Sequence, residues 1–413
     1  MRSLFVSHVP ALPATSGGNQ RTALLAMALR RLGETAMVLV REPAAVGEAE
    51  RREMEAAFGL RAVLSPGGGA AGSRWGRVKH NALGAAARYR ERPELVAGLA
   101  AVAEDFRPDV LVSRQLHVGR ITGLTGLASR LGAASALDVD DLDWRVYASR
   151  LEHGGDRGVA AWVVRRHLGQ LKRAVPGWLE GFDHLWVASD ADRGLVEHGS
   201  VSVLPNIPYT GGEPMPEPPG PVLGGGDPEL LLVASLNHGP NVRGVERFLG
   251  SVWPGVLSAV SGARLRLVGG RMSEEHKRRW SAEPGVVATG YVADLREAYA
   301  GATAAVSPVY EGGGTKIKVL EALMFGRPIA VTEHSYYGYA SMLPEGAAVE
   351  VGRSDAELVG ACVRLLNDPA RSAEMGRVGY GLVREHAGFE AFAAAVRAGV
   401  ERAVSDRSGV LDG

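Results

Sequence analysis

Between residues 205 and 228 the chain reads PNIPYTGGEPMPEPPGPVLGGGDP. No helix or central strand can be built from that density of proline and glycine. On either side of it, apolar runs of strand length alternate with amphipathic helical stretches, the pattern of a parallel sheet covered by helices on both faces. The strand candidates before it are SLFVSHV (3–9), AMVLVR (36–41), DVLVS (109–113), SALDV (135–139), HLWVAS (184–189) and VSVLPN (201–206). Those after it are ELLLVASL (229–236), ARLRLVGG (263–270), VVATGYV (286–292), TAAVSPV (303–309), PIAVTE (328–333) and AAVEV (347–351). A chain of 413 residues is too long for one ordinary core. The expected class is therefore α/β: two doubly wound, Rossmann-like domains facing each other across a cleft. They cover 1–205 and 229–385, with a linker over 206–228. A helix over 386–405 is expected to pack back on the first domain, and 406–413 reads as a frayed tail. Residues 144–179 read as basic and helical, covering the first sheet.

Lysine plus arginine number 46, as do aspartate plus glutamate, which argues against a nucleic-acid protein that works by charge. Small anionic ligands need only a local patch. The single cysteine, Cys362, lies in the apolar stretch AELVGACVRLL and reads as a buried structural thiol. No apolar run is long enough to span a bilayer, and MRSLFVSHVP reads as a first strand, so the expectation is a cytoplasmic protein. Peripheral contact with a membrane stays compatible with this reading. The alanine, glycine and arginine content fits a GC-rich bacterial genome.

The stretch EGGGTKIKVLEALMFGRP (311–328) carries the chemistry. Thr315 reads as an N-cap, Ile317, Leu320, Leu323 and Met324 form one apolar face, and Gly326 with Pro328 is a stop signal. That places Lys316 and Lys318 in a first turn, where the helix dipole disfavours cations by a few tenths to about 1 kcal/mol each. Gly312, Gly313 and Gly314 let a backbone approach a ligand. Together these features ask for an anion, with a diphosphate as the best fit. A plain strand-to-helix turn with two solvated lysines is the alternative. In LNHGPNVRGVERF (236–248), which includes Asn237, Arg243 can make a forked contact to phosphate, with Gly244 leaving it room. A solvent-facing arginine is equally open. Glu321, at the margin of the apolar face, needs partners: a ribose diol, an ion pair with Lys318, or both.

SPVYEGGGTKIKVLEALMFGRPIAVTE resembles the nucleotide-sugar site of the group 1 (family four) retaining glycosyltransferases of the GT-B fold. LLVASLNHGPNVRGVERFLGSVWP, ARLRLVGG and VVATGYVADLREAYAGATAAVSP are similar to the preceding elements of that domain, in the same order. SGGNQRTALLAMALRRLG, ASDADRGLVE and LPNIPY are similar more loosely. The resemblance implies transfer of a sugar from a nucleoside diphosphate sugar, UDP- or GDP-type, to an acceptor hydroxyl, with retention and with neither metal nor cofactor. It implies ribose recognition by Glu321 and donor-sugar contact by Glu311. The nine residues between the two glutamates exceed the family spacing, and a gapless alignment puts Gly313 at the first acidic position. Ser235 stands where the family has an arginine, so the diphosphate depends on Arg243, Lys316, Lys318 and the backbone around Gly314 and Thr315. Gly17 and Gly18 match the family's glycine pair near both substrates, and His117 lies near its donor-sugar histidine. For Asp140 and Asp141 in DVDDLD (138–143), acceptor recognition or helix capping is expected rather than a metal. The acceptor itself (glycan, glycolipid or secondary metabolite) carries no readable motif. A nucleotide-sugar epimerase and a catalytically silent scaffold subunit are the rival readings.

Overall fold

A computed structural model describes residues 1–67, 85–140, 142–153, 158–223 and 226–411. The chain divides into two compact units, Met1–Gly212 with Phe389–Gly413, and Glu213–Gly388. The first holds β1 (Arg2–Ser7), β2 (Glu34–Val40), β3 (Leu60–Leu64), β4 (Val110–Arg114), β5 (Ala134–Asp140), β6 (His184–Val187) and β7 (Val201–Val203). The second holds β8 (Glu229–Val233), β9 (Arg264–Val268), β10 (Val286–Gly290), β11 (Ala304–Ser307), β12 (Ile329–Thr332) and β13 (Val349–Gly352).

The sheet orders are β3-β2-β1-β4-β5-β6-β7 and β10-β9-β8-β11-β12-β13, paired in parallel. In both units the order turns back at the first strand, the doubly wound arrangement that puts functional loops beyond the carboxyl strand ends. The runs 36–40 and 304–307 are buried at every position, because helices cover both faces of a parallel sheet. Leu4, Val6, Val38, Leu111 and Leu137 form the first core with Leu171 and Val175 of the helix Gly158–Leu179. Leu230, Leu232, Leu265, Leu267 and Val306 form the second with Phe248, Trp253 and Leu365.

The final helix, Phe389–Leu411, packs on the helix Gly17–Arg30 and on β5 and β6 of the first unit. A Cβ on Gly399 would lie 2.4 Å from the Trp186 indole nitrogen, so that glycine sets how closely the helix seats. The helix continues to Leu411, through residues expected to fray. The proline-rich stretch is divided between the units. Leu204 and Ile207 are buried in the first. In the second, the buried Arg327 donates to the carbonyls of Pro219 (3.3 Å) and Gly220 (2.7 Å), and the Tyr380 hydroxyl donates to Pro216 O (3.3 Å). Cys362 is buried in the helix Asp355–Asn367, and burial pushes its thiol up to about 12. Among the described residues no helix is long and apolar enough to cross a membrane.

Candidate functional site

The helix that carries the lysines begins later than its sequence indicates. It spans Lys318–Met324 with Ile317 at the cap position and no side-chain cap, so Thr315 is not the N-cap. The reason lies in the glycines: Gly312 (φ 101°) and Gly314 (φ 63°) are left-handed, and the chain is still turning when it reaches Thr315. Lys316 therefore precedes the helix. Its ammonium folds back onto the carbonyls of Gly313 (2.7 Å) and Gly314 (2.6 Å), which fixes the loop. Lys318 opens the helix and donates to Asn241 Oδ1 at 2.8 Å. Asn241 in turn donates to Ser235 O at 2.9 Å. Asn237, the asparagine singled out in the sequence, instead accepts from the Ser235 hydroxyl at 2.9 Å.

Arg243, on the helix Gly239–Arg247, donates from Nε to Glu311. Two candidates 68 residues apart are thus brought into one ion pair, Arg243 largely exposed and Glu311 mostly covered. Gly244 does not make room for the arginine. A Cβ there would lie 2.2 Å from Pro308 O, so this glycine lets the helix approach the loop after β11. The guanidinium lies by Gly239, where a Cβ would come within 2.9 Å of its Nη1. Hydroxyls brace the same loop: Ser335 Oγ donates to Ser307 O at 2.7 Å, and Thr332 Oγ1 donates to Val309 O.

The electrostatics are cationic. Burial, then Lys316 beside it, pulls the Lys318 ammonium from 10.5 to about 7, with Glu321 opposing. An ammonium brought that close to losing its proton by burial and a like-charged neighbour gains most from an added anion. His238, at the cap of the helix Gly239–Arg247, is lowered by burial, Lys318, Lys316 and Arg243, with Glu311 opposing. Sequence reasoning passed over this histidine; its position directly before Gly-Pro in a helix-opening loop was the available signal. Glu321 accepts from the Tyr299 hydroxyl at 3.0 Å. Burial raises it, against the pull of Tyr299 and Lys318. Tyr299 stacks on Phe325 at 4.8 Å, which anchors this acidic corner.

In the first unit, Gly17 and Gly18 open the helix Gly17–Arg30, capped by Ser16. A Cβ on Gly17 would meet nothing within 4 Å, and one on Gly18 would make only ordinary contacts with Val9 at 3.6 Å and the Ser16 hydroxyl at 3.9 Å, so the chain's own packing does not require either glycine. His117 stands edge-on to His8 (5.6 Å) and Tyr89 (6.1 Å). Burial and surrounding charges hold both imidazoles at about 4, hence neutral at physiological pH. His8, directly after β1, is a second residue the sequence reading passed over.

Asp140, expected at the acceptor side, is held by basic neighbours. Arg114 Nη2 donates to it at 2.9 Å, Asn206 Nδ2 donates at 3.4 Å, and Arg21 Nε lies 3.6 Å away. Burial alone would raise this carboxyl, but Arg21 and Arg114, with the Asn206 bond, bring it below the usual range. Asp138, fully buried, takes a forked pair from Arg21 at 2.9 and 2.6 Å. The cluster ties the helix Gly17–Arg30 to β4 and β5. Asp141 lies outside the described residues. Among the described residues no group of three His, Cys, Asp or Glu side chains is arranged to hold a metal.

Residues 227–368 match the family model of the group 1 glycosyl transferases. That stretch contains the whole lysine cluster, from Ser235 to Tyr299 and Glu321. No curated protein matches the chain in sequence. Among solved structures it is similar to a sucrose-phosphate synthase from Thermosynechococcus elongatus, 16% identical over 95% of this chain and 97% of that one, TM-score 0.65. Anabaena HepE in complex with UDP is 11% identical over 97% and 100%, TM-score 0.66. The lipopolysaccharide outer core galactosyltransferase WaaB is 12% identical over 97% and 99%, TM-score 0.64. At these identities the likeness speaks for the fold, the pair of Rossmann-like units of the GT-B class.

Proposed function

We propose that the chain moves a sugar from a nucleoside diphosphate sugar to an acceptor hydroxyl, retaining the anomeric configuration and needing no metal. The observation that carries this is the gathering of Arg243, Lys316, Lys318, Asn241 and Glu321 at carboxyl strand ends, inside the segment that matches the group 1 glycosyl transferase model. HepE, solved with UDP, supports a nucleotide of that class as the donor.

In this reading the diphosphate lies against Lys318 and Arg243, with Lys316 keeping the glycine loop in shape. As the anomeric bond breaks, negative charge moves onto the departing diphosphate. Fixed cations aimed at that charge are worth on the order of 3 kcal/mol each. Glu321, already oriented by Tyr299, takes the ribose hydroxyls. Glu311 faces the donor sugar once Arg243 turns to phosphate. Neutral His117 accepts or donates at a sugar hydroxyl, and the backbone at Gly17 and Gly18 approaches the substrates.

The test is to incubate the protein with UDP- and GDP-sugars, with and without candidate acceptors. Free nucleoside diphosphate that appears only with an acceptor supports transfer. A changed sugar with no diphosphate released indicates epimerisation. Absence of nucleotide binding across the panel overturns the reading in favour of a silent scaffold.

A further inference from the structure

The chain has no net charge, yet residues 158–177 hold four cations (Arg165, Arg166, Lys172, Arg173) and no carboxylate. They lie on the helix Gly158–Leu179 of the first unit. Its inner face is settled by packing: Ala161, Val164, His167, Leu171, Val175 and Leu179 are buried. At 100° per residue, the opposite face aligns Val159, Trp162, Arg166 and Arg173, with Arg165 and Lys172 at its border. Val159 is 78% exposed and Trp162 60% exposed, and all four cations are exposed. The Arg166 guanidinium lies 5.9 Å from the Trp162 ring centre, so cation and aromatic ring share one surface.

We propose that this face is a docking surface for an anionic lipid bilayer, on which the protein sits peripherally. A tryptophan and a valine at one end of a helix, followed by cations along the same stripe, is the arrangement that settles in the plane of a membrane interface. The ring inserts at headgroup level and the cations meet anionic lipid. A purely electrostatic partner such as a nucleic acid has no use for the two bare apolar side chains. The proposal stands apart from the donor chemistry of the second unit, and its failure leaves sugar transfer untouched.

The experiment is sedimentation of the full chain with vesicles of phosphatidylcholine alone, or of phosphatidylcholine with phosphatidylglycerol, at low and high salt. The expected result is binding to the anionic vesicles only, weakened by salt. Each cation near such a surface contributes about fivefold in partitioning, so Arg165→Glu with Arg173→Glu is expected to lower it by on the order of 25-fold or more. Trp162→Ser is expected to weaken it as well. The charge-matched pair Lys277→Glu with Arg278→Glu, exposed on the second unit, is expected to leave binding intact. All variants are checked for an unchanged melting temperature, which their exposed positions predict. Absent binding, equal binding to neutral vesicles, or full binding by the Arg165/Arg173 variant overturns the proposal. So does a dimer in gel filtration that Trp162→Ser converts to monomer, which would make the face a contact between copies.

Discussion

Titration of UDP into the protein should show a proton taken up with the nucleotide, and Lys318 is the group that accepts it. In the free protein this lysine sits at about 7. At about pH 8 only about a tenth of it is charged, one pH unit being a factor of ten. A diphosphate laid against it favours the ammonium and returns it toward the ordinary value of 10.5. Linkage then gives uptake of about 0.9 proton per UDP at about pH 8, and an affinity that falls about tenfold per pH unit above about 7. The terminal phosphate does not confuse the window, because its second ionisation lies near ~6. His238, lowered from 6.5, is neutral there too. Calorimetry in buffers of different ionisation heat counts the protons. Lys318→Met should abolish the uptake and cost about 10- to 100-fold in affinity at about pH 7, the worth of a charge-assisted hydrogen bond. The stability of the free protein runs the other way. The lysine is depressed in the folded state, so the unfolded chain holds more protons between about 7 and 10.5, and stability rises with pH across that range. Lys318→Met should therefore stabilise the free protein at neutral pH by about 1–2 kcal/mol, discounted for its partial exposure. No proton uptake in the wild type, or uptake that survives Lys318→Met, refutes the placement of the diphosphate.

Arg243→Ala should weaken UDP by about 10- to 100-fold in calorimetry while shifting stability by only about 1 kcal/mol, since the guanidinium is largely exposed even though Glu311 is mostly covered. Unchanged affinity in both this variant and Lys318→Met sinks the site. Glu321→Ala should lose about 1–3 kcal/mol of UDP affinity, and none with an analogue lacking the ribose 2′ and 3′ hydroxyls. Equal losses with both ligands would mean that Glu321 acts through Tyr299 and not through ribose. Arg21→Met strips the forked partner from fully buried Asp138 and should cost about 3–5 kcal/mol, read as a lower melting temperature with UDP affinity retained.

The strands were legible because parallel sheets bury both faces and leave uninterrupted apolar runs such as 304–307. β3 escaped notice for the complementary reason. It is an edge strand whose Arg61 is exposed, so its run is short and mixed. The site was legible by residue type more than by role. Lys316 and Lys318 stand two apart in sequence, yet one clamps the glycine carbonyls and the other reaches Asn241. That division follows from the left-handed turns at Gly312 and Gly314, which local helix signals do not report. The pairing of Asp140 was not legible because its partners are remote: Arg21 comes from the first helix and Arg114 from β4. An arginine at position 21, heading the apolar run TALLAMAL, was the one local hint that a buried carboxylate awaited it.

The pairing of Arg243 with Glu311 joins the two glutamate questions left by the sequence. An arginine latched to a carboxylate is spoken for, and donor binding has to exchange one anion for another. The exchange is favourable on magnitudes alone. An ion pair with one largely exposed partner is worth about 0–1 kcal/mol, whereas a charge-assisted bond to phosphate is worth about 1.5–3 kcal/mol. Release of Arg243 also frees Glu311, which is mostly covered at 12% exposure and needs a new polar partner. In the proposed reading, a sugar hydroxyl delivered by the same donor would supply it. On the proposed function, the longer spacing between Glu311 and Glu321 has a physical reading: the extra glycine loop gives Glu311 the reach to hold Arg243 in the free protein, ready for exchange against a nucleotide sugar.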